Sequence, residues 1–215
     1  MIGLRRPRSW RNASYAVLDF ETTGLDLKRD HVLSYGLVPV EEGRIRLSGA
    51  LYGVVRPPLR VPPDSIRVHG IRPVELAGAP ELRDVAGELL GALEARLLVA
   101  YASEIELAFL GRLHEDRGLS RPRHAIDVID LAAEVATREC EDAPLALRLS
   151  DLAGRYGVPV ARTHHALSDA LTTAQLFLVL TTRLEQLGVH GVRALVRAGR
   201  SRRAKAFNAS TLGSR

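Results

Sequence analysis

The feature that most constrains the fold of this 215-residue chain is a short apolar segment that ends in acidic residues. Residues 15–20 read YAVLDF, and a compact apolar run of this kind is typical of a buried β-strand. Because side chains at positions i and i+2 of a strand point to the same face, Asp19 and Glu21 should project together. Two carboxylates held so close repel each other unless a cation lies between them. The segment therefore predicts a strand that carries two potential metal ligands on one face.

The segments that follow predict an α/β fold with a mixed sheet. Residues 31–40 and 44–55 are rich in apolar residues and are separated by a Glu-Glu-Gly turn, so with the first strand they predict an antiparallel three-strand meander. Four prolines exclude regular structure from residues 56–63. Helical and strand-like patterns then alternate, which adds parallel strands and covers the sheet with flanking helices. We expect helices over residues 80–96, 104–117, 131–137, 149–156 and 165–187, and strands over residues 97–101 and 124–129.

A second group of polar residues lies at the start of the long C-terminal helix. His164 comes at or just before the helix start, and Asp169 lies in its early turns. Small and apolar residues that should pack on the sheet flank Asp169, so its charge must be compensated, and a metal ion is one form of compensation. Taken alone, this fragment more often marks an acid stabilised by the helix dipole and a histidine on the surface.

Together these motifs resemble the DEDDh 3'→5' exonucleases, the group of the epsilon-like proofreading subunits of bacterial replicative polymerases and of ribonuclease T. The first motif matches as DFETTGL from Asp19 to Leu25, and the third matches as H-x-A-x-x-D from His164 to Asp169. Further segments similar to the family occur between them in the expected order: VHGI at 68–71, IDV at 126–128 and LAGRYG at 152–157. The resemblance covers about residues 15–180 and implies a ribonuclease H-like fold.

The second motif departs from the family pattern. The family has a His-Asn pair and then an aspartate three residues ahead of a Phe-Leu pair, whereas here Glu106 holds the aspartate position and Tyr101 and Ala102 replace the first pair. Glutamate adds one methylene, and an error of ~1 Å can cost orders of magnitude in rate. Glu104 is the rival ligand, about 200° from Glu106 around a helix, so only one of them can face the metal ions easily. The Phe-Leu register favours Glu106, and the interpretation of both as solvated helix-start acids stays open.

The resemblance implies phosphodiester hydrolysis assisted by two Mg²⁺ or Mn²⁺ ions. Carboxylates form the hard oxygen environment that these ions prefer, and two ions can neutralise charge on the attacking water, the phosphoryl oxygens and the leaving oxygen. In the family pattern Asp19 bridges both ions, Glu21 and Asp169 hold the ion on the side of the nucleophile, and Glu106 supports the other. His164 takes the proton from the attacking water, a role that suits imidazole near neutral pH.

The same resemblance implies a pocket for a free 3' end. Thr22 and Thr23 would line the terminal sugar, Leu25 would wedge between the last bases, and His69 would lie nearby; ordinary loop packing explains each of the four equally well. Upstream phosphates of the nucleic acid should meet arginines, of which the chain has 28. The sequence does not select among them.

We therefore expect a 3'→5' exonuclease that releases nucleoside monophosphates from single-stranded or frayed DNA, in proofreading or repair. A polymerase or another replication or repair protein is a candidate partner. Two alternatives stay open: an exonuclease that trims RNA 3' ends, and a catalytically weakened accessory subunit that binds 3' ends. The substitutions at Tyr101, Ala102 and Glu106 motivate the second alternative.

The distribution of charge suggests three parts. Residues 1–14 hold four arginines and residues 193–215 hold seven basic residues, and neither segment contains an acid. We expect a basic N-terminal arm over residues 1–14, an exonuclease domain over residues 15–189 and a basic, partly disordered C-terminal extension over residues 190–215. The extensions could hold a polyanion, although solvated tails explain the charge equally well.

The cellular compartment is inferred from cysteine content and apolar runs. Cys140 is the only cysteine, so an intramolecular disulfide is impossible and a reducing, cytoplasmic compartment is expected. The sequence contains no run approaching the ~20 apolar residues of a membrane helix, so we expect no membrane partner.

Overall fold

The computed structural model describes residues 9–118, 125–142 and 148–200. In these ranges one six-stranded sheet is flanked by helices on both faces. The strands are β1 (Ser14–Thr22), β2 (Val32–Glu41), β3 (Arg44–Ile45), β4 (Leu51–Val54), β5 (Leu97–Ala100) and β6 (Ile126–Asp127). The helices are α1 (Pro63–His69), α2 (Pro73–Leu76), α3 (Leu82–Leu93), α4 (Glu104–Asp116), α5 (Val128–Glu139), α6 (Leu149–Arg155), α7 (Ala166–Gln186) and α8 (Val192–Ala198).

The sheet is mixed, which confirms the fold class predicted from the sequence. Its order is β3-β2-β1-β5-β6, and β4 pairs with β2 beyond β3 along the same strand. The pairs of β1 with β2 and of β2 with β3 and β4 are antiparallel, whereas β5 runs parallel to β1 and β6 runs parallel to β5. Since β1 is the central strand, its C-terminal end lies in the middle of one edge of the sheet.

The third strand of the meander is interrupted, contrary to the continuous strand predicted over residues 44–55. A 3-10 turn at Leu47–Gly49 separates β3 from β4. The break lies opposite Pro39 of β2, which has no N–H to donate to a neighbouring strand. Proline therefore removes a hydrogen bond that a continuous ladder would need.

The alternation of side chains along β1 divides the core into two clusters. Tyr15 and Val17 face the cluster under α5, α6 and α7, whereas Ala16, Leu18 and Phe20 face the cluster under α3 and α4. Asp19 and Glu21 continue the first set by their position in the strand, so they project toward the face that α7 covers.

The helix boundaries agree with the sequence pattern to within a few residues for α3, α4, α6 and α7. The strand predicted over residues 124–129 is wrong beyond residue 127, because the side chain of Asp127 caps α5 by accepting a hydrogen bond from the N–H of Ile129 at 2.8 Å. The first residue of that prediction, at position 124, lies outside the described residues. Helices α1, α2 and α8 were not predicted; the first two start at prolines, and all three are only four to seven residues long.

The two ends of the described chain are packed onto the domain. Trp10 is buried next to Phe177, with ring centroids 6.4 Å apart, so its ring cannot stack on a nucleic acid base. At the other end Leu195 of α8 is buried, and the carbonyl of Gly199 accepts a hydrogen bond from the N–H of Asp127 at 2.8 Å. Most of the predicted basic arm (residues 1–8) and most of the predicted extension (residues 201–215) lie outside the described residues, so the three-part division stays a prediction.

Within residues 9–118, 125–142 and 148–200, none of the helices combines the length and the apolar character needed to cross a lipid bilayer.

Candidate active site

A cavity of about 590 Å³ opens at the C-terminal end of β1. All nine site residues predicted from the sequence line it: Asp19, Glu21, Thr22, Thr23, Leu25, His69, Glu106, His164 and Asp169. They come from β1, the loop that follows it, α1, α4 and the start of α7. Residues far apart in the chain therefore meet at one end of the central strand.

A glycine in β2 allows α7 to reach the carboxylates of β1. Gly36 pairs with Asp19 across the sheet, and a Cβ atom at Gly36 would lie 2.3 Å from backbone atoms of Ala166 and Leu167. Only a residue without a side chain lets the first turn of α7 lie directly on the strand. This close approach places Asp169 beside Glu21.

The start of α7 holds His164 in a fixed relation to Asp169. The backbone N–H of His164 donates to Oδ2 of Asp169 at 2.9 Å, and His164 has a left-handed φ of 56°. Such a conformation costs a non-glycine residue about 1 kcal/mol or more and persists when its surroundings impose it. Ligand atoms of Glu21, His164 and Asp169 all lie within 4.8 Å of one another, close enough to share one metal ion.

Burial raises the pKa values of the carboxylates, and repulsion between them adds to the effect at Asp19 and Glu21. Burial raises the pKa of Asp19 well above its usual range, and the charges of Glu106, Glu21 and Asp169 raise it further. Burial and the charge of Asp169 raise the pKa of Glu21 to about 7. Burial also raises the pKa of Asp169, although the N–H and the charge of His164 oppose it. A divalent cation among these groups would offset the repulsion between them and stabilise their ionised forms.

Of the two candidate glutamates on α4, Glu106 faces the cavity. It is 3% exposed and lines the cavity, whereas Glu104 does not. Burial and the charges of Asp127 and Glu104 raise the pKa of Glu106, and its Oε2 atom is buried without a hydrogen-bond partner among the described residues. A buried oxygen of this kind suits a metal ligand, so Glu106 stays the predicted fourth carboxylate.

The start of α4 is held by the side chain of Asp127, the residue that also caps α5. Its Oδ2 atom accepts a hydrogen bond from the N–H of Ser103 at 2.8 Å while Oδ1 caps α5. Ala102, the residue before Ser103, adopts a left-handed φ of 54°. Asp127 therefore ties together the two helix starts that follow β5 and β6, and it fixes the turn that presents Glu106.

The loop after β1 uses its own hydroxyl groups to hold its shape. The hydroxyl of Thr22 donates to the carbonyl of Gly24 at 2.7 Å, and that of Thr23 donates to Oδ1 of Asp30 at 2.6 Å. Both threonine protons are thus engaged inside the loop. The contact of Thr22 and Thr23 with a terminal sugar stays a prediction, and it would use acceptor lone pairs or the backbone. Leu25 lies at the cavity with 74% of its surface exposed.

His69 supplies a neutral donor at the wall formed by α1. Its Nδ1 atom accepts a hydrogen bond from the N–H of Ile71 at 3.0 Å, so the ring proton belongs on Nε2. Burial and the nearby charge of His164 lower its pKa. The Nε2 atom is buried and has no partner in the described parts of the chain, which leaves an N–H available for a ligand.

The model of the RNase_T family, described as "Exonuclease", matches residues 16–177, well over half of the chain. The chain belongs to the RNase T exonuclease family.

Relatives of this RNase T exonuclease domain occur within much longer proteins. It is 27% identical over 198 residues to the 3'-5' exonuclease DinG of Staphylococcus haemolyticus, which covers 92% of this chain and 21% of DinG. It is 30% identical over 182 residues to a PolC-type DNA polymerase III of Thermotoga petrophila, which covers 84% of this chain and 13% of the polymerase. The chain thus spans about a fifth or less of these relatives.

Solved structures of exonucleases share the fold of the RNase T domain. E. coli Exonuclease I in complex with a dT13 oligonucleotide superposes with a TM-score of 0.69 at 15% identity, covering 82% of this chain and 42% of that one. Exonuclease X in complex with 5' overhanging duplex DNA gives a TM-score of 0.66 at 19% identity, covering 86% and 99%. At such low identity these matches establish the architecture alone.

Proposed function

We propose that this chain is a metal-dependent 3'→5' exonuclease domain that hydrolyses the terminal phosphodiester bond of DNA and releases nucleoside monophosphates. The observation that carries the proposal is the convergence of four carboxylates with His164 in one cavity. Membership of the exonuclease family and the relatives named as exonucleases or as a DNA polymerase support it.

The residues of the cavity fit a pair of divalent cations. Burial raises the pKa values of Asp19, Glu21, Glu106 and Asp169, neighbouring carboxylates raise those of the first three further, and one buried oxygen of Glu106 lacks a partner among the described residues. An all-carboxylate set favours Mg²⁺ or Mn²⁺ over softer metals, and we propose these four residues as the ligands. Bound ions of this kind stabilise negative charge on phosphoryl and leaving oxygens and lower the pKa of water.

His164 is the proposed general base. Its side chain is exposed to the cavity, and one of its ring nitrogens lies within 4.8 Å of ligand oxygens of both Glu21 and Asp169. His164 would therefore accept the proton of the attacking water at a ring nitrogen that lies beside the carboxylates. The hydrogen bond from its backbone N–H to Asp169 holds the main chain of His164 beside the carboxylates.

The terminal position of the cleaved bond is explained by the wall beyond the carboxylates. Helix α1 and the loop that carries Leu25 form this wall, and His69 offers its free Nε2–H there. We propose that the last nucleoside lies between Leu25 and His69, with its sugar against Thr22 and Thr23. If a further nucleotide were attached at the 3' oxygen of this nucleoside, it would clash with the wall.

The direct test uses a single-stranded oligodeoxynucleotide labelled at its 3' end. With Mg²⁺ or Mn²⁺ the wild-type protein should release labelled mononucleotides, and EDTA should stop the release. Asp19→Asn and His164→Ala should each lower kcat by about a hundredfold or more, since they remove a metal ligand and the base. Arg44→Ala, at an exposed position of β3 away from the cavity, is the matched surface control. Full activity in both site variants would refute the assigned residues, and no release by the wild type would refute the activity.

Further assays distinguish two alternative functions from the proposed one. The glutamate at position 106 motivates a protein that binds 3' ends without cutting, which would show salt-dependent affinity for DNA and no metal-dependent turnover. An RNA-trimming enzyme would prefer a matched RNA end when DNA and RNA compete. The PolC-type relative supports a replication or repair polymerase as partner, which co-purification with the polymerase from the same cells would test.

A further inference from the structure

The cavity contains a single permanently positive side chain among the described residues. Five carboxylates line it, from Asp19, Glu21, Asp64, Glu106 and Asp169. The one lysine or arginine in the lining is Arg148, immediately before α6. A polyanionic substrate that enters so acidic a cavity needs cations, and Arg148 is the only one that this part of the protein supplies permanently.

Arg148 lines the cavity from a different element than the wall that would receive the terminal nucleoside. Helices α1 and α2 pack on the β2 side of the sheet, where Ile71 and Leu76 contact Leu33. Arg148 immediately precedes α6, which packs on α7, and it lines the same cavity as the β1 carboxylates. A strand whose last nucleoside contacts His69 would pass over the carboxylates and continue toward Arg148.

Among the described residues, the guanidinium of Arg148 is free to bind a ligand. The residue is exposed, and its backbone N–H donates to Oδ2 of Asp151 at 3.3 Å. Within the described ranges its side chain forms no ion pair, in contrast to Arg11 and Arg155, which pair with glutamates at 2.7 and 2.9 Å. Guanidinium stays protonated at all working pH values, and its planar donors match a phosphate with two hydrogen bonds.

We propose that Arg148 binds the first phosphate upstream of the cleaved bond and so sets the direction in which the strand crosses the cavity. The proposal rests on the exonuclease activity proposed above. Arg148 acts on the part of the strand that is retained, and the carboxylates and His164 act on the bond that is broken. It is thus a substrate-positioning residue whose effect depends on the presence of an upstream phosphate.

The test measures whether a change in the protein and a chemical change in the DNA have independent effects on kcat/KM. Wild type and Arg148→Ala are compared on a thymidine oligonucleotide and on oligonucleotides with one neutral methylphosphonate at successive upstream linkages. A lost charge-assisted contact should lower kcat/KM about tenfold or more in the variant. The neutral first upstream linkage should lower the wild-type value by a similar factor and should lower the variant no further. Independent, multiplying effects would overturn the proposal, as would the same loss at every position.

A short substrate separates failure of this inference from failure of the proposed function. The p-nitrophenyl ester of thymidine 5'-monophosphate contains one phosphodiester and no upstream phosphate, so wild type and Arg148→Ala should hydrolyse it equally. Equal losses on ester and oligonucleotide would show that Arg148 affects the fold or the chemistry instead. Hydrolysis of neither substrate by the wild type would reject the activity itself.

Conservative and distant substitutions complete the experiment. Arg148→Lys should recover part of the lost kcat/KM on oligonucleotides, because it keeps the charge and loses the paired geometry. Arg148→Ala should reduce the slope of log KM against log salt by about 0.7, the value for one phosphate of single-stranded DNA. Arg44→Ala, at an exposed position of β3, should leave the slope and both substrates unchanged. An unchanged slope in Arg148→Ala would contradict the phosphate contact.

Discussion

Replacing Glu21 with glutamine should stabilise the metal-free protein at alkaline pH while it abolishes activity. Glu21 is 8% exposed, and burial with the charge of Asp169 raises its pKa from 4.5 to about 7. The folded state therefore binds the proton more tightly than the unfolded chain does. Because the folded protein holds more protons between these two pKa values, the free energy of unfolding falls as pH rises through that window.

The magnitude follows from the same two pKa values. Between 4.5 and about 7, at 1.36 kcal/mol per pH unit, the ionised Glu21 costs the metal-free fold about 3 kcal/mol above pH 8. The contribution is absent below pH 4.5, where the group is protonated in both states. Glutamine has nearly the same shape and no charge, so Glu21→Gln should be more stable than the wild type at pH 8 by up to about 3 kcal/mol. The two proteins should converge near pH 4.5.

Urea unfolding in EDTA, repeated from pH 5 to pH 9, measures this difference. Glu94→Gln, at an exposed position, is the matched control and should follow the wild type. Addition of Mg²⁺ at pH 8 should stabilise the wild type more than Glu21→Gln, because the ion binds the folded carboxylates. A variant that is less stable than the wild type at pH 8, or a gap that does not close toward pH 5, would refute the argument from carboxylate repulsion.

Three further substitutions test how the cavity is built. Glu106→Asp should lower kcat on single-stranded DNA about tenfold or more, because it withdraws the carboxylate by ~1 Å; a faster enzyme would indicate that glutamate weakens catalysis. Gly36→Ala should cost about 1–3 kcal/mol in urea unfolding and should lower kcat more than the stability loss explains, because the new Cβ meets the backbone of Ala166. An unchanged kcat would mean that α7 can shift without moving the site. Leu25→Ala should raise KM for DNA and leave the unfolding free energy within about 0.5 kcal/mol, because Leu25 is exposed; an unchanged KM would remove it from the substrate pocket.

The parts of the site that could be predicted from the sequence are those fixed by local periodicity. The alternation along β1 places Asp19 and Glu21 on one face whatever the rest of the chain does. Helix geometry likewise separates Glu104 from Glu106, since residues two positions apart on a helix point in different directions, and the resemblance to the family favoured Glu106. The mixed sheet also followed from local patterns, because a tight turn and alternating helices leave few topologies.

The parts that could not be predicted depend on contacts between distant segments. Gly36 looks like any glycine in a strand until α7 packs against it. Asp127 reads as a helix cap, and only the fold brings its second oxygen to Ser103. Arg148 is one of 28 arginines, and nothing near it in the sequence indicates that it borders the carboxylates. Pro39, in contrast, is a local signal for the break between β3 and β4, since a proline inside a strand predicts a gap in the neighbouring strand.

Anomalous diffraction from crystals soaked in Mn²⁺ would locate the ions that the four carboxylates are proposed to bind. We expect two manganese peaks in the cavity, with Asp19 contacting both and with Glu21, Glu106 and Asp169 completing the ligand set beside His164. Soaked crystals of Asp19→Asn should lose at least one of the peaks. A wild-type crystal with no manganese in the cavity, or with manganese held by other residues, would contradict the account.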